Sequence, residues 1–383
     1  VRAGTPAGFP ALTELDGAGW IRLVRWLADA RRHTPVLELG GMHHVFRAED
    51  VRTVLADSAL FSSDRTRMMP PTAQLGRGNL TMMDPPDHTR MRRIVNQAFT
   101  PASVSGLVPA IGEIADELVD SLVPDRFDLV RDLAYPLPIR VISRYLGLPE
   151  GQIGRFRTWS IGFSRGDAGQ MDAMHRYLAE VAQLKRARPG RDLMSRLATA
   201  EVDGVPATID EIASLTGLIL LAGHVTTTSL IAAAVHHLCV QPVSDARVRE
   251  HDQVEDLVLE ALRVRPAFAQ VTRIAAEDVM LSDTTVSAGA LVSAWILSAN
   301  HDPELNPDPE LFLLDRPVRR HLSFGHGVHY CLGGPLAQIE ATAAVRAVIR
   351  RFAGLTVLAP VEFHPLPTLA IRRLELQGRT RAT

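Results

Sequence analysis

The run LSFGHGVHYCLGGPLA, Leu322 to Ala337, carries Cys331, one of two cysteines in a chain of 383 residues. Cys331 follows His329 by two positions and is framed by Gly325, Gly327, Gly333 and Gly334. Glycines permit positive φ and close backbone approach, so such a loop can press against something flat. A helix is expected directly after it, and the amides at a helix start favour a negatively charged sulfur. A thiolate held this way suits a metal centre. The same residues allow two other readings. One is a cysteine packed in a turn. The other is a zinc site from His326, His329 and Cys331, although H-x-x-H-x-C lacks the paired ligand spacing of structural zinc and shows no fourth ligand.

Three further runs carry groups with chemical potential. In MMDPPDHTRMRR, Asp84 is expected as a helix N-cap with Pro85 in the first turn. His88 and Arg92 then lie four apart on one helix face and can meet an anionic group together; a solvated basic face is the plainer reading. In EALR, Glu260 and Arg263 share a face of a helix that ends before Pro266 and can form a charge-assisted pair. In LLAGHVTTTSL, a threonine hydroxyl can move protons, or Thr226, Thr227 and Thr228 can simply bond back to carbonyls one turn earlier.

The elements that must position these groups are mostly helical. WIRLVRWLADARR, IGEIADELVDSLV, MDAMHRYLAEVAQLKRA and ATAAVRAVIRRFAG repeat apolar residues at helical spacing. PVLELGGMHHVFRA reads as a hairpin turning at Gly40 and Gly41, and QVTRIAAEDVMLSDTTVSAGALVSAWILSAN as a second set of short strands. NHDPELNPDPELFLLDRP has no regular period and is expected as an ordered loop. LTGLILLAGHVTTTSLIAAAVHHLCV is interrupted by histidines and threonines, which favours a buried central helix over a membrane span. No repeat, linker or shift in composition divides the chain, so one domain over 1–383 is expected, mainly α with a small β-sheet region (α+β).

Composition narrows the function classes. Apolar residues at 46% and charged residues at 22% describe a globular chain and not a disordered one. A net charge of −2 gives no electrostatic footprint for nucleic acid. Two cysteines, Cys239 and Cys331, form no disulfide framework, and the N-terminal run has no basic start followed by an apolar stretch. The expectation is a cytoplasmic protein with no membrane and no nucleic-acid partner.

Phe324, Gly325, Gly327, His329, Cys331 and Gly333 together spell F-G-x-G-x-H-x-C-x-G, which resembles the haem-binding loop of the cytochrome P450 family. The other runs agree with that resemblance in order and type, from the early helix and hairpin to the end of the chain. It implies the cytochrome P450 fold, with haem b between a distal central helix and the proximal cysteine loop. Cys331 is then the axial thiolate. His88, Arg92, Arg273 and His329 match the propionate partners, and Arg316 in LLDRP matches the arginine that locks onto the Glu260–Arg263 pair. Ala222 and Gly223 match the distal helix positions that leave room for oxygen, and Thr226 the hydroxyl for proton delivery. The chain departs from the family at Val225, where the usual pattern has an acid.

The resemblance is nearest in character to soluble actinobacterial biosynthetic members, particularly macrolide hydroxylases. It implies a monooxygenase that takes two electrons from a ferredoxin and oxidises a bulky secondary-metabolite scaffold, with hydroxylation of a macrolide first. Hydroxylation or oxidative coupling of a nonribosomal peptide, epoxidation, and a non-catalytic haem-thiolate sensor are the alternatives, with a zinc hydrolase as a third class. Substrate contacts are expected from RTRMMPPTAQLGRGNL with Met68 and Met69, from FRTWSIGFSR, from PAFAQV and from PLPTL. Arg90, Arg93, Arg346 and Arg350 are candidates for a basic docking face or for ordinary solvated arginines.

Overall fold

A computed structural model describes residues 17–65, 79–317, 320–364, 368 and 370–381. The chain divides into two packed units. One comprises Val1–Ser62, Ala115–Tyr135 and Thr226–Thr383, and the other Ser63–Ile114 and Pro136–Val225.

The first unit holds the main sheet. Its five strands run in the order Val36–Leu39, Met42–Val45, Leu291–Ala294, Val271–Ala275 and Phe61–Ser62. The hairpin turns at Gly40 and Gly41 with φ of +60° and +76°, the left-handed region where a side chain would be strained. Leu291–Ala294 pairs parallel to Met42–Val45 and antiparallel to Val271–Ala275, placing Arg273 opposite Val292. Helix Gly17–His33 packs on this sheet through Trp26, Phe46 and Trp295, whose rings meet at 5.5 and 5.7 Å. Trp295 Nε1 donates to His44 Nδ1 at 3.0 Å, so the buried indole leaves no polar atom unpaired. Burial of large side chains such as these is worth about 1.5–3 kcal/mol each. A second sheet orders Phe352–Val357, Glu375–Thr380 and Phe127–Asp128, with Phe127 stacked on Phe352.

The second unit is mainly helical, with Asp87–Ala98, Pro136–Leu146, Ile153–Arg165, Ala168–Ala187 and Leu193–Ala198 as its principal members. Helix Ile209–Val240 runs for 32 residues and is the one described helix long and apolar enough to cross a membrane. Two thirds of its most apolar window is buried within the protein, as a core helix requires.

Two local expectations are corrected. Asp84 is not the N-cap: the helix begins at Asp87, and the Asp84 carboxylate instead accepts from Ser63 N–H at 2.8 Å. The Pro85–Pro86 bond is cis, which bends the chain before the helix. The helical period of ATAAVRAVIRRFAG stops at Arg351, because Phe352 opens a strand whose ring is buried against Phe127.

Candidate functional site

The cysteine loop is built by short-range hydrogen bonds and two tight glycines. Gly325 N–H donates to Leu322 O, Tyr330 N–H to Gly327 O, and Cys331 N–H to Phe324 O at 2.8 Å. Gly325 and Gly327 have φ of +73° and +70°. At Gly327 a Cβ would lie 2.7 Å from Ala56 Cα, so the loop is pressed onto helix Ala48–Ala56. At Gly334 a Cβ would lie 3.2 Å from the Phe324 ring, which is buried under the loop. Gly333 differs from both: its φ is −82° and a Cβ there would meet nothing within 4 Å. Neither strain nor packing among the described residues demands a glycine at that position. Helix Gly334–Arg351 begins three residues after Cys331, and the thiol is exposed.

Behind the loop lies a buried ion cluster. Arg263 donates to both Glu260 oxygens at 2.8 and 3.0 Å, and Arg316 Nε donates to Glu260 Oε1 at 3.1 Å. Burial pushes the Glu260 pKa up, but the Arg263 hydrogen bonds and charge, the Leu313 N–H and Arg316 together hold it below the usual range. The spare guanidinium donors reach carbonyls of Asn300, Pro309 and Leu311, which fixes the irregular loop ahead of the cysteine. Asn300, which sequence reasoning did not single out, extends the cluster. Its side-chain amide donates to Arg263 O and Ser323 Oγ, and its Oδ1 accepts from Leu322 N–H at the start of the cysteine loop. The sequence signal for it is the run LSANHDP, in which an asparagine closes a short, mostly apolar and buried helix and has to find buried partners.

Helix Ile209–Val240 carries a contrasting stripe. Ala222 and Val225 are exposed, and Leu218, Leu221, Gly223 and Thr226 are half-buried, while His224, Thr227 and Thr228 are buried. At helical spacing those exposed positions form one apolar face with the Thr226 hydroxyl beside it. Thr228 Oγ1 donates to Ala134 O at 3.0 Å and so acts as a packing threonine. His224 points elsewhere: Nδ1–H donates to Leu220 O at 2.8 Å, and Nε2 accepts from Ser160 Oγ–H at 3.0 Å. That pattern assigns the neutral tautomer, and burial lowers the ring's pKa accordingly. Gly223 sits against Ile142, where a Cβ would come within 3.3 Å.

His88 and Arg92 are one turn apart on helix Asp87–Ala98, with His88 buried and Arg92 half-buried. Burial lowers the His88 pKa, and the Arg92 charge lowers it further. Arg273 stands half-buried in strand Val271–Ala275, donating to Thr272 O, and His329 closes the short turn Gly327–His329. The first unit thus contains Cys331, Phe324, Gly325, Gly333, His329, Arg273 and Thr226, and the second His88, Arg92, Ala222 and Gly223. Within the first unit, exposed Cys331 ahead of a helix start is a donor set of the kind that a thiolate-ligated iron requires.

The remaining segments singled out in the sequence lie as follows. FRTWSIGFSR lies in helix Ile153–Arg165 with Ile161 and Phe163 exposed, and Phe268 in PAFAQV is exposed. Met68, Met69 and most of PLPTL lie outside the described residues. Each of the four candidate docking arginines is in an ion pair: Arg90 with Glu211, Arg93 with Asp203, Arg346 with Asp252 and Glu255, and Arg350 with Asp116. Cys239 is largely enclosed, and burial pushes its thiol up to about 12.

The chain's likeness to known proteins agrees with this donor set. The cytochrome P450 family profile matches residues 167–357. The cyclomarin C epoxidase CymV of Salinispora arenicola is 38% identical over 93% of this chain and 95% of its own. The erythromycin C-12 hydroxylase of Saccharopolyspora erythraea is 38% identical over 88% of each. The ligand-free structure of cytochrome P450 TbtJ1 superposes with a TM-score of 0.90 at 39% identity, over 97% of this chain and all of that one. The fold and the cysteine loop define a haem-thiolate protein. The chain belongs to the cytochrome P450 family, of the actinobacterial biosynthetic type. It is a monooxygenase with haem b as its cofactor, acting in secondary metabolism, and the zinc-hydrolase and sensor readings are set aside.

Proposed function

We propose that this monooxygenase hydroxylates a bulky, mostly apolar secondary-metabolite scaffold of the macrolide type, with a ferredoxin as electron donor, in the cytoplasm. The observation that carries the reading is the cysteine loop, in which Cys331 N–H is held by Phe324 O and the space at Gly333 is open. Bound haem b supplies oxygen activation: O2, two electrons and two protons convert a C–H bond to C–OH and release water. Cys331 holds the iron as thiolate, with the helix start behind it favouring the negative charge. His88, Arg92, Arg273 and His329 bind the two propionates. With haem bound, Ala222 and Gly223 would leave room for oxygen and substrate, and the Thr226 hydroxyl, which both donates and accepts, would hold or pass the proton that Val225 cannot. The Glu260–Arg263–Arg316 cluster holds the loop ahead of the cysteine and touches no reacting atom. One catalytic domain spanning the chain is consistent with relatives that match along nearly their whole length.

Epoxidation is the second reading, because a relative named as an epoxidase and one named as a hydroxylase are equally identical to this chain. The test is turnover of a macrolide panel with NADPH, a surrogate ferredoxin and its reductase, under isotope-labelled O2. A product carrying one labelled oxygen at a former C–H supports hydroxylation. Oxygen added across an alkene supports epoxidation. NADPH consumed with no labelled product from any macrolide would contradict the proposed substrate class.

A further inference from the structure

Arg265 caps the C-terminal end of helix Val254–Val264, its backbone N–H donating to Ala261 O at 2.8 Å. Its guanidinium lies 4.1 Å from the centroid of the Trp20 ring and 5.4 Å from that of Phe363. Nη1 is shielded from water and has no hydrogen-bond acceptor among the described residues. No described carboxylate raises its pKa; burial acts alone and lowers it to about 10. The group therefore stays cationic at neutral pH; it is half-buried, with the Trp20 face as its described partner and Nη1 left unmet. Two helix ends account for part of its presence, since the last carbonyls of Ile209–Val240 and Val254–Val264 are partly negative. They do not supply a hydrogen-bond partner.

A pocket of about 420 Å³ opens beside this cation, lined by Trp20, His236, His237, Glu310 and Phe312 as well as Arg265. That volume suits a small organic ligand. The His237 and Phe312 rings stack with centroids 3.4 Å apart, giving a flat wall. Burial, and then the Arg265 charge, hold His236 and His237 at about 4, so both rings are neutral at pH 7 and add no charge. Glu310 is exposed and is the one carboxylate in the lining.

We propose that this pocket binds a small aromatic carboxylate, its acid group facing the Arg265 guanidinium and its ring against the Trp20 and Phe312 surfaces. The lining shares no residue with the set assigned to haem, so the site is separate from the oxidation chemistry. The cation gives an acid its advantage, and the helix ends keep that advantage modest.

The test is calorimetric titration of the holoprotein with cinnamate and with cinnamamide, its neutral analogue. Saturable binding of cinnamate, about tenfold tighter than the amide, is expected. Arg265→Gln should remove the preference for the acid. Glu310→Gln should strengthen cinnamate binding about two- to threefold by removing like-charge repulsion, a gain that misfolding cannot imitate. Binding should persist, with no shift of the Soret band, when imidazole saturates the haem iron. Equal affinity for acid and amide, no saturable binding, an unchanged or weaker Glu310→Gln complex, or loss of binding in imidazole would each overturn the proposal.

Discussion

Glu260→Gln should destabilise the folded protein sharply while conserving side-chain shape. Glu260 and Arg263 are fully buried and Arg316 nearly so, and Glu260 accepts from both guanidiniums and from Leu313 N–H. The amide keeps one acceptor, turns a donor toward two cations and leaves both arginines without their anion. Removing one partner of a buried ion pair costs about 3–5 kcal/mol. Unfolding entropy is about 2.1 cal/mol/K per residue, or roughly 0.8 kcal/mol/K for a chain of this length, so the melting temperature should fall by about 4–6 °C. Because the Glu260 pKa is lowered on folding, its contribution is complete above the unfolded value of about 4.3 and is lost as pH falls through the folded value. The difference between wild type and variant should therefore stay flat from about pH 5 to 8 and narrow below about pH 4. The assay is thermal unfolding of the holoprotein followed by circular dichroism across that range. A fall under about 1 °C at pH 7 would refute the idea that the cluster contributes net stability.

Thr226→Ala should raise peroxide release and lower product per NADPH, while Val225→Glu should change coupling only modestly; a fully coupled Thr226→Ala would return that threonine to a packing role. Alanine at His88, Arg92, Arg273 or His329 should each lower haem occupancy after purification more than it alters oxygen chemistry, and full occupancy in all four would assign the propionates to other partners. Cys239, with its thiol pushed up to about 12, should resist iodoacetamide in the folded protein from pH 7 to 9. Rapid alkylation there would contradict its burial.

The parts of the fold visible in the sequence are those fixed locally. The Gly40–Gly41 turn and the amphipathic helices follow from φ preference and periodicity, and both stand in the structure. Features set by distant partners were hidden. Asp84 has the chemistry of an N-cap, but Ser63 offers its carboxylate a competing donor 21 positions away in sequence. Helical spacing runs on through Arg351, yet Phe352 is taken by a ring on a strand formed more than two hundred residues earlier. In FDLVRDLAYPLPIR a two-residue strand, a π-helical turn and a helix follow one another, and none of these short pieces has a period long enough to read. The cysteine-loop motif itself was legible because its spacing is rigid. Asn300 and Ser323 were not, since their roles depend on which carbonyls and amides the folded loop leaves beside them. Among the three adjacent threonines the resemblance singled out Thr226; the structure leaves it half-buried, buries Thr227 and Thr228, and bonds Thr228 to Ala134 O.

The central claim, that Cys331 is the thiolate ligand to haem iron, is tested most directly by the absorption spectrum of the dithionite-reduced protein under carbon monoxide. Wild type and Cys239→Ser should both give the long-wavelength Soret band of a thiolate-ligated complex, and Cys331→Ser should lose it while remaining folded by circular dichroism. Retention of that band in Cys331→Ser, or its loss in Cys239→Ser, would contradict the account.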